Sequence, residues 1–404
     1  MAPQDKTQHT VDIVVSGGGI AGLTAAATFG QAGFSVVCVD PTPPVVERNQ
    51  QGADLRTTAF LQPARVLLQE AGLWERLNDH AAPLQIMRIV DAGGAEPKPR
   101  VIKDFNASDI SDLPFGWNLP NWLLRREFIA HLNDMPNVDL RLGVSATDLL
   151  TRASEARVRL SDGETLTCQL VVAADGRNST IREKADIGVK TTRYGQKALA
   201  LAVTHPIPHD NVSTEIHRSG GPFTLVPLPD YEGRPSSALV WMERAARAQE
   251  LFEMDEAAFN TEMTERSCSL FGPLELASRR TIWPIISQIA DSFISERVAL
   301  IAETAHVVPP IGAQGLNTSL GDLRVLLDLA KDSPESLGNV QMLETYQKKR
   351  RSEVALRVKG IDVLNRASMV ETPLLRNARA AGLQALYGLA PVRKMLMQMG
   401  LGAR

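Results

Sequence analysis

Four glycines follow a short β-branched run near the start of the chain. The stretch Gly17-Gly18-Gly19-Ile20-Ala21-Gly22 has the spacing G-x-G-x-x-G and stands between VDIVVS (residues 11–16) and a run of small residues. Glycine at these positions permits a tight turn, close approach of the backbone to a pyrophosphate, and close packing of a helix on a strand. The start of that helix would direct free N–H groups at phosphates. The sequence therefore predicts a nucleotide-binding turn between a strand and a helix.

An acidic residue ends the next predicted strand. Residues 34–39 (FSVVCV) form a β-branched run, and Asp40 follows it, eighteen positions after Gly22. A carboxylate at this place can accept hydrogen bonds from a ribose diol. These residues alone fit FAD and NAD equally well, and the alternative is a glycine-rich turn that only packs.

Two further segments place polar residues where a predicted strand ends. Residues 171–174 lead into Asp175-Gly176-Arg177, although an Asp-Gly pair is by itself an ordinary turn. Residues 297–302 (RVALIA) form a strand that ends at Glu303, and a Pro-Pro turn and a glycine-rich helix start at 312–317 follow. Such a helix start can bring N–H groups and a positive dipole end to an electron-rich ring.

Composition limits the class of protein. The 404 residues are 44% apolar and 22% charged, which suffices for sizeable cores, and the net charge of −3 gives no reason to expect a nucleic-acid partner. Cys38, Cys168 and Cys268 are too widely spaced for a disulfide framework, so we expect a reducing compartment. The polar start MAPQDKTQHT does not look like a secretory signal, and no stretch approaches the roughly 18 apolar residues of a membrane span. A cytoplasmic location is the expectation.

The order of the three segments resembles that in the flavin-dependent aromatic hydroxylases, the family of para-hydroxybenzoate hydroxylase. It is most similar to the branch that hydroxylates polyprenylated rings in ubiquinone biosynthesis. Further similar stretches are DLRTTA (54–59), Gly-Pro at 221–222 with LVPLP (225–229) and LVW (239–241), and the endings at 346–351 and 391–402. The resemblance covers nearly the whole chain. The chain departs from the family in having Ala302-Glu303 for the usual Gly-Asp, Asp40 for the commoner Glu, and Gln314 where the hydroxybenzoate enzyme has lysine.

The resemblance implies an α/β fold with a Rossmann-like FAD-binding domain, an inserted β-sheet substrate domain and a C-terminal helical segment. The first part of the FAD-binding domain would span residues 1–185, with an excursion into the substrate domain near 80–120. The sheet domain would span 186–284, the second part of the FAD-binding domain 285–345, and the helical segment 346–404.

The resemblance also implies FAD as the cofactor, NAD(P)H as the co-substrate and a set of cofactor-binding residues. That set is Gly17, Gly19, Ile20, Ala21 and Gly22 for the pyrophosphate, Asp40 for the adenosine ribose, Arg56, Arg125 and Asp175 near the flavin and its phosphates, Glu303 for the flavin-side ribose or ribityl chain, and the N–H groups of Gly315, Leu316 and Asn317 for the pyrimidine end of the ring. Arg126 is an alternative to Arg125. Glu303 could instead cap residues 304–307 or meet solvent.

The implied reaction is a monooxygenation in which NAD(P)H reduces FAD, O₂ adds at C4a, and the hydroperoxide delivers oxygen to an electron-rich phenol ring. The sequence does not identify the group that activates the phenol, and Tyr194, His217 and backbone carbonyls are equal candidates. Pro206 and Pro208 exclude a helical metal face for His205 and His209, so we expect no metal site, and His306 is expected to be structural.

The implied function is ring hydroxylation of a polyprenyl phenol or quinol intermediate in ubiquinone biosynthesis. The alternatives are hydroxylation of a small soluble aromatic compound and a non-catalytic FAD-binding scaffold. Residues 360–404 contain six Lys or Arg against two acids, together with many apolar side chains. This pattern fits peripheral contact with the inner face of a membrane, or else a bundle that caps the flavin domain. Association with other enzymes of ubiquinone biosynthesis is a further expectation.

Overall fold

The computed structural model describes residues 9–43, 45–94, 96–370 and 372–401. Most of the N-terminal stretch interpreted above (residues 1–8) and the last three residues lie outside that description. The strands are β1 His9–Ser16, β2 Val36–Asp40, β3 Thr57–Leu61, β4 Ala82–Leu84, β5 Ile86–Asp91, β6 Val101–Asn106, β7 Gly116–Pro120, β8 Val138–Leu142, β9 Ala146–Thr151, β10 Ala156–Leu160, β11 Thr165–Ala173, β12 Val189–Thr204, β13 Val212–His217, β14 Pro222–Tyr231, β15 Arg234–Arg244, β16 Glu275–Leu276, β17 Thr281–Ala290, β18 Ile294–Ser295, β19 Val298–Leu300 and β20 His306–Val307. The helices are α1 Ile20–Gln31, α2 Gln62–Glu70, α3 Asn121–Asn133, α4 Thr180–Lys184, α5 Ala245–Glu253, α6 Glu256–Arg266, α7 Ala302–Ala305, α8 Gln314–Asp332, α9 Val340–Ser368, α10 Pro373–Gly388 and α11 Ala390–Leu401.

The first sheet has the strand order β18-β19-β11-β1-β2-β8, and the strands from β19 to β8 run parallel. The central strands are apolar along their length because helices cover both faces of a parallel sheet, and Ile13, Val14 and Val15 are fully buried. The helix α1 follows β1 directly and has ten buried residues. The predicted β-α-β unit and the Rossmann-like class are therefore confirmed.

The second sheet has the order β20-β17-β12-β15-β14-β13-β5-β6 and is antiparallel except where β13 meets β5. The strands β5 and β6 come from the excursion near residues 80–120 and extend the sheet formed mainly by the inserted segment. A third, small sheet has the strand order β3-β7-β4. The strand β17 crosses residue 284 and continues to Ala290, and α9 begins before residue 346.

Two helices in the inserted segment differ from the expected pattern of strands and turns. The helices α5 and α6 follow β15, and Ala248, Leu251, Phe259 and Met263 bury their side chains in the core of the second sheet. The side chain of Asp255 caps α6 by accepting from the N–H of Ala258 at 2.9 Å. The expected sheet is observed, and the two helices beside it were not indicated because the charged residues between these apolar positions obscure the helical period.

The C-terminal helices divide between the two sheets. On α9, the buried Tyr346 donates a hydrogen bond to the carbonyl oxygen of Leu300 at 2.8 Å, so this helix packs on the first sheet. On α10, Tyr387 donates to the carbonyl oxygen of Asp104 on β6 at 3.0 Å. The segment therefore does not simply cap the flavin domain, because its last part lies against the edge of the second sheet. No described helix has an apolar stretch long enough to cross a membrane.

Candidate active site

The three predicted nucleotide segments meet at one edge of the first sheet. The strands β1, β11 and β19 are parallel neighbours whose carboxyl ends lie at Ser16, Ala173 and Leu300. Gly17 has a φ of 113°, and a Cβ there would collide with the carbonyl oxygen of Ala174. Only glycine fits this close approach. The carboxyl ends of parallel strands are where folds of this type bind ligands.

The glycines of the first turn divide into two roles. A Cβ at Gly22 would collide with the carbonyl oxygen of Gly17, so both residues serve the turn and its packing. A Cβ at Gly19 would enter open space, and Gly19, Ile20 and Ala21 line a cavity. The first turn of α1 has no side-chain cap and no acidic residue, which leaves its N–H groups directed at that cavity.

Asp40 holds the glycine turn from the end of β2. Its Oδ2 accepts from the N–H of Gly18 at 2.6 Å, and its Oδ1 accepts from the N–H of Thr42 at 2.8 Å. The carboxylate is largely buried and does not line the cavity. The predicted position at the end of the second strand is observed, and the shortest hydrogen bonds of Asp40 come from backbone groups of the chain itself.

Arg125 lies on the cavity wall, whereas Arg126 does not. The Nη2 atom of Arg125 lies 3.4 Å from Asp40 Oδ1 and donates to the carbonyl oxygen of Thr42 at 3.2 Å. Its Nε is buried with no hydrogen-bond partner among the described residues. Arg126 pairs instead with Glu127 at 2.8 Å. A guanidinium with long contacts and an unused donor at a cavity wall suits an anionic ligand.

The cavity has a volume of about 590 Å³ and runs between the two sheets. Its nucleotide wall consists of Gly19, Ile20, Ala21, Arg56, Arg125, Gly176, Arg177, Ala302 and Glu303. Its sheet wall consists of Ile86, Met87, Ser213, Glu215, Thr224, Val226, Val240 and residues 283–286. Leu61, Leu84 and Phe115 continue the apolar lining. A cavity of this size with a polar part and an apolar part is typical of a cofactor-and-substrate site.

Arg56 enters the cavity from the segment before β3. It makes a two-pronged ion pair with Asp54, from Nε at 2.8 Å and from Nη2 at 2.7 Å, and its guanidinium lies 5.8 Å from the centre of the Trp283 ring. Burial alone would raise the pKa of Asp54, but the hydrogen bonds and charge of Arg56, with a hydrogen bond from Asn121, hold it below its ordinary value. The pair is ionised at neutral pH and fixes Arg56 at the wall.

The Asp-Gly segment turns its carboxylate away from the cavity. Asp175 Oδ2 accepts from the N–H of Ile181 at 3.1 Å, and its Oδ1 accepts from the hydroxyl of Thr304 at 3.2 Å. The same hydroxyl accepts from the N–H of Gly176 at 3.0 Å. Asp175 therefore joins the second segment to the third, while Gly176 and Arg177 line the cavity.

Glu303 lies in the short helix α7, because β19 ends at Leu300 rather than at residue 302. Its carboxylate is 47% exposed, lines the cavity, and lies 3.7 Å from Arg177 Nε. Among the described residues, no hydrogen bond joins this carboxylate to the backbone of residues 304–307. The structure therefore does not support the alternative in which Glu303 caps them. Ala302 has a left-handed φ of 56°, a conformation that favours glycine. The Gly that the resemblance implies at this position would adopt this conformation without strain.

The helix α8 begins at the cavity with its N–H groups uncapped. Ala313 precedes it in a left-handed conformation, the first turn has no acidic residue, and Gly315 and Leu316 line the cavity. Asn317 has a different place: its Oδ1 accepts from the N–H of Leu61 at 2.9 Å, and its Nδ2 donates to the carbonyl oxygen of Ala59 at 2.7 Å. The side chain of Asn317 thus ties β3 to the start of α8.

A buried ion cluster supports this helix start. His306, on the cavity wall, has Nε2 2.6 Å from Asp322 Oδ2, and Arg350 donates through Nε to Asp322 Oδ1 at 2.8 Å. Asp322 is fully buried. The structural role expected of His306 agrees with these contacts. Its partners are far away in the sequence, so no local pattern could have indicated them.

Neither sequence candidate for phenol activation lines the cavity, which corrects that expectation. The hydroxyl of Tyr194 donates to Asp362 Oδ1 at 2.6 Å, and burial followed by this contact raises the pKa of Tyr194 to about 12. His217 Nε2 lies 2.7 Å from Glu215 Oε1, and it is Glu215 that lines the cavity. The alternation of β13 could have indicated Glu215, since residues two apart share one face of a strand.

The remaining histidine pair packs in the second sheet. His205 is fully buried, with Nδ1 2.8 Å from the carbonyl oxygen of Ile207 and Nε2 2.9 Å from the hydroxyl of Ser237. His209 Nε2 lies 3.0 Å from the carbonyl oxygen of Leu228. Over the described part of the chain, no group of histidine, cysteine and acidic side chains has a metal-binding arrangement.

These features fit a flavin dinucleotide. The helix start of α1 and Arg125 suit a pyrophosphate, the open space beside Gly19 and Gly315 leaves room for close backbone approach, and the start of α8 suits the electron-rich end of a flavin ring. The cavity joins these two helix starts to the sheet wall. A bound flavin ring would therefore lie near the start of α8 and near the sheet wall.

The comparisons with known proteins agree with that fit. The model of the FAD binding domain family matches residues 10–359. Ubiquinone hydroxylase UbiL of Rhodospirillum rubrum is 30% identical over 97% of this chain and 89% of its own length. The 3-demethoxyubiquinol 3-hydroxylase of Escherichia coli is 25% identical over 98% of this chain and 100% of its own. The crystal structure of p-nitrophenol 4-monooxygenase PnpA of Pseudomonas putida has the same fold, with a TM-score of 0.79 at 18% identity, covering 98% of this chain and 100% of that one.

The chain belongs to the FAD binding domain family, and FAD is its cofactor. The predicted enzyme class, an FAD-dependent monooxygenase with NAD(P)H as the electron donor typical of its family, is confirmed by the relatives.

Proposed function

We propose that this monooxygenase hydroxylates the aromatic ring of a polyprenyl phenol or quinol in ubiquinone biosynthesis. The observation that carries the proposal is the continuity of the cavity from the nucleotide wall to an extended apolar lining. Such a lining suits a ring with a long hydrocarbon substituent, because it offers few partners to a carboxylate or another charged group. The functions named for UbiL and for the Escherichia coli hydroxylase support the same substrate class.

In this proposal, each part of the nucleotide wall has a role in holding FAD. The N–H groups at the start of α1 and the guanidinium of Arg125 bind the pyrophosphate, with Gly17 and Gly22 shaping the turn. Asp40 fixes that turn through one accepted backbone N–H at each oxygen, and the further acceptor capacity of the carboxylate serves the adenosine ribose. Glu303 accepts from a hydroxyl of the ribityl chain. These contacts would position the flavin ring beside the start of α8. The N–H groups of residues 315–317 would there stabilise negative charge at the pyrimidine end of the ring.

Bound flavin supplies the redox chemistry, in which one atom of O₂ enters the ring C–H bond as a hydroxyl group and the other leaves as water, with two electrons from NAD(P)H. The chain positions the reactants and excludes water. Val240, Trp283 and Ile285 form an apolar face opposite the start of α8. Exclusion of water at that face keeps the activated oxygen for the ring. The inserted sheet domain is therefore the substrate-binding part of the chain in this proposal.

The decisive experiment supplies the FAD-loaded protein with NADH or NADPH and a geranylated phenol. We expect phenol-dependent NAD(P)H oxidation and a product heavier by one oxygen atom. In a deletion strain, an unhydroxylated prenylated ring should accumulate and identify the natural position. Equal turnover of small soluble phenols without a prenyl chain would favour the alternative substrate class. FAD binding without phenol-dependent NAD(P)H oxidation would favour the scaffold.

The proposal includes peripheral contact with the membrane that would hold such a substrate. Met397 on α11 packs with Leu61 and Phe115, which line the apolar part of the cavity. Lys394 and Met395 on the same helix are exposed. A helix that packs on two residues of the apolar lining and presents a cation and an apolar side chain outward suits a membrane surface.

Arg393 differs from its neighbour, because it donates to the carbonyl oxygen of Tyr387 at 3.1 Å and faces Asp109 at 3.5 Å. We therefore expect Lys394→Glu to weaken binding to anionic phospholipid vesicles, whereas Lys348→Glu, on α9, should not. Equal vesicle binding by the two variants would contradict the membrane contact. Association with other ubiquinone-biosynthesis enzymes is part of the same proposal and is tested by co-purification from the native membrane fraction.

A further inference from the structure

Glu215 occupies a distinctive position on the sheet wall. The strand β13 alternates, with Val212, Thr214 and Ile216 buried and the residues between them turned to the other face. Glu215 pairs across the ladder with Thr224 of β14, and both line the cavity. Because β13 lies between β14 and β5 in the middle of one half of the sheet, the backbone holds this side chain firmly in place.

The carboxylate of Glu215 is only partly satisfied by the chain. Its side chain is 16% exposed, and Oε1 lies 2.7 Å from Nε2 of His217, which is two residues later on the same face. The other oxygen, Oε2, makes no hydrogen bond to any described residue. A largely buried carboxylate is costly unless it is hydrogen-bonded. A ligand that donates a hydrogen bond to Oε2 would supply the partner that this oxygen lacks among the described residues.

Glu215 is the only carboxylate of the sheet wall, as far as the described residues extend. The remaining carboxylates on the cavity surface are Asp54 and Glu303. Asp54 is occupied by Arg56 and Asn121, and Glu303 belongs to the nucleotide wall. For a polar group on an otherwise apolar ring, Glu215 is therefore the one carboxylate available on the substrate side of the cavity, among the described residues.

We propose that Glu215 is a catalytic residue that accepts the hydrogen bond of the ring hydroxyl and takes its proton, with His217 as the residue that positions it. The inference rests on the proposed function, since it needs a hydroxylated ring as the substrate. A phenol that transfers its proton becomes a more electron-rich ring and reacts faster with an electrophilic oxygen.

The proton and electrons balance as follows. As the new carbon–oxygen bond forms, the O–O bond derived from O₂ breaks, the proton of the ring hydroxyl moves to Glu215 Oε2, and the electron pair of that O–H bond enters the ring. The attacked carbon then loses its hydrogen as a proton to the oxygen atom that leaves as water, which restores the aromatic ring. Glu215 returns its own proton to the original ring oxygen. The added oxygen comes from O₂ and the two electrons from NAD(P)H, as in the proposed reaction.

The test compares Glu215→Gln with the wild type on two probes, 2-geranylphenol and its methyl ether. The amide keeps the shape of the side chain but cannot take the proton, so kcat for the phenol should fall about 100-fold or more. FAD content should not change. The methyl ether, which has no proton to give, should bind both proteins equally, as followed by the flavin absorbance. Glu215→Asp should recover part of the lost rate.

Two control variants separate catalysis from folding. Glu275→Gln removes a half-exposed carboxylate of the same sheet, paired with Arg234 outside the cavity, and should leave kcat and KM unchanged. His217→Gln keeps an N–H donor near Glu215 and should retain more activity than His217→Leu.

The outcomes distinguish this inference from the proposed function. Hydroxylation by wild type and by Glu215→Gln at the same kcat would overturn the role of Glu215 and leave the function standing. Tighter binding of the phenol than of the ether by the wild type, lost in Glu215→Gln, would support it even without turnover. Failure of the wild type to bind either probe would overturn both.

Discussion

Arg125 and Arg126 offer a matched pair for testing the nucleotide wall. Arg125 is 19% exposed, lines the cavity and has a buried Nε without a partner among the described residues, whereas Arg126 is 41% exposed and pairs with Glu127. Removing Arg125 leaves Asp40 held by the N–H groups of Gly18 and Thr42. Arg125→Ala should therefore disturb the ligand more than the turn.

The expected loss follows from the kind of contact. Hydrogen bonds between charged groups contribute about 1.5–3 kcal/mol, which corresponds to a rise in the dissociation constant for FAD of roughly 10- to 150-fold. Fluorescence titration of the apoprotein with FAD measures this, and thermal unfolding without FAD checks that the fold is intact. Arg126→Ala should bind FAD as tightly as the wild type. A change below about threefold for Arg125→Ala, or equal losses for both variants, would refute the assignment.

Three other substitutions test Glu303, its neighbour Ala302, and the buried ion pair between Asp322 and Arg350. Asp322→Ala would remove the only fully buried partner of Arg350 among the described residues and leave it the half-exposed Glu353, so it should lower the free energy of unfolding by about 3 kcal/mol in urea titration; a loss below 1 kcal/mol would contradict the buried cluster. Glu303→Ala should weaken FAD by about tenfold, at the low end for a charged hydrogen bond because the carboxylate is half exposed, and Glu303→Asp by less; equal affinity in all three proteins would exclude the contact. Ala302→Gly should raise the free energy of unfolding by about 0.5–1 kcal/mol, since relief of the left-handed strain exceeds the entropy cost of glycine, whereas Ala299→Gly in β19 should lower it.

The parts of the fold that the sequence predicts are those with local causes. The turn at residues 17–22 combines a β-branched run, a glycine spacing and a helix of small residues within thirty positions, and each feature restricts the backbone where it stands. The sequence predicts a glycine-rich helix start at 312–317, but it does not fix the first residue of α8, which is Gln314 because Ala313 takes a left-handed conformation that no residue preference indicates. Element type is therefore predicted better than element ends.

The parts of the site that the sequence could not predict depend on register between distant strands. Glu215 and His217 share one face of β13, and which of them lies at the cavity is decided by how β13 is aligned with β14 and β5. The strand β5 lies more than a hundred residues earlier in the chain. In the same way, Asp40 and Asp175 were predicted as direct ligands of the cofactor from their types and positions. In the structure, the Asp40 carboxylate accepts from two backbone N–H groups and lies 3.4 Å from Arg125 Nη2, and the Asp175 carboxylate accepts from Ile181 and Thr304. Only the folded chain could reveal these partners within the protein.

The departures at Ala302 and Glu303 bear on how much of the related chemistry this chain keeps. Ala302 adopts the left-handed conformation for which glycine is the unstrained choice, so the turn keeps its shape at a cost in stability. Glu303 keeps a carboxylate on the cavity wall, and its extra methylene extends the reach of that group beside Arg177. The first change thus adds backbone strain at residue 302, and the second lengthens the side chain at residue 303. The carboxylate and its place on the cavity wall are kept. We therefore expect them to tune the affinity for FAD, whereas the choice of substrate depends on the sheet wall, where Glu215 is the only carboxylate among the described residues.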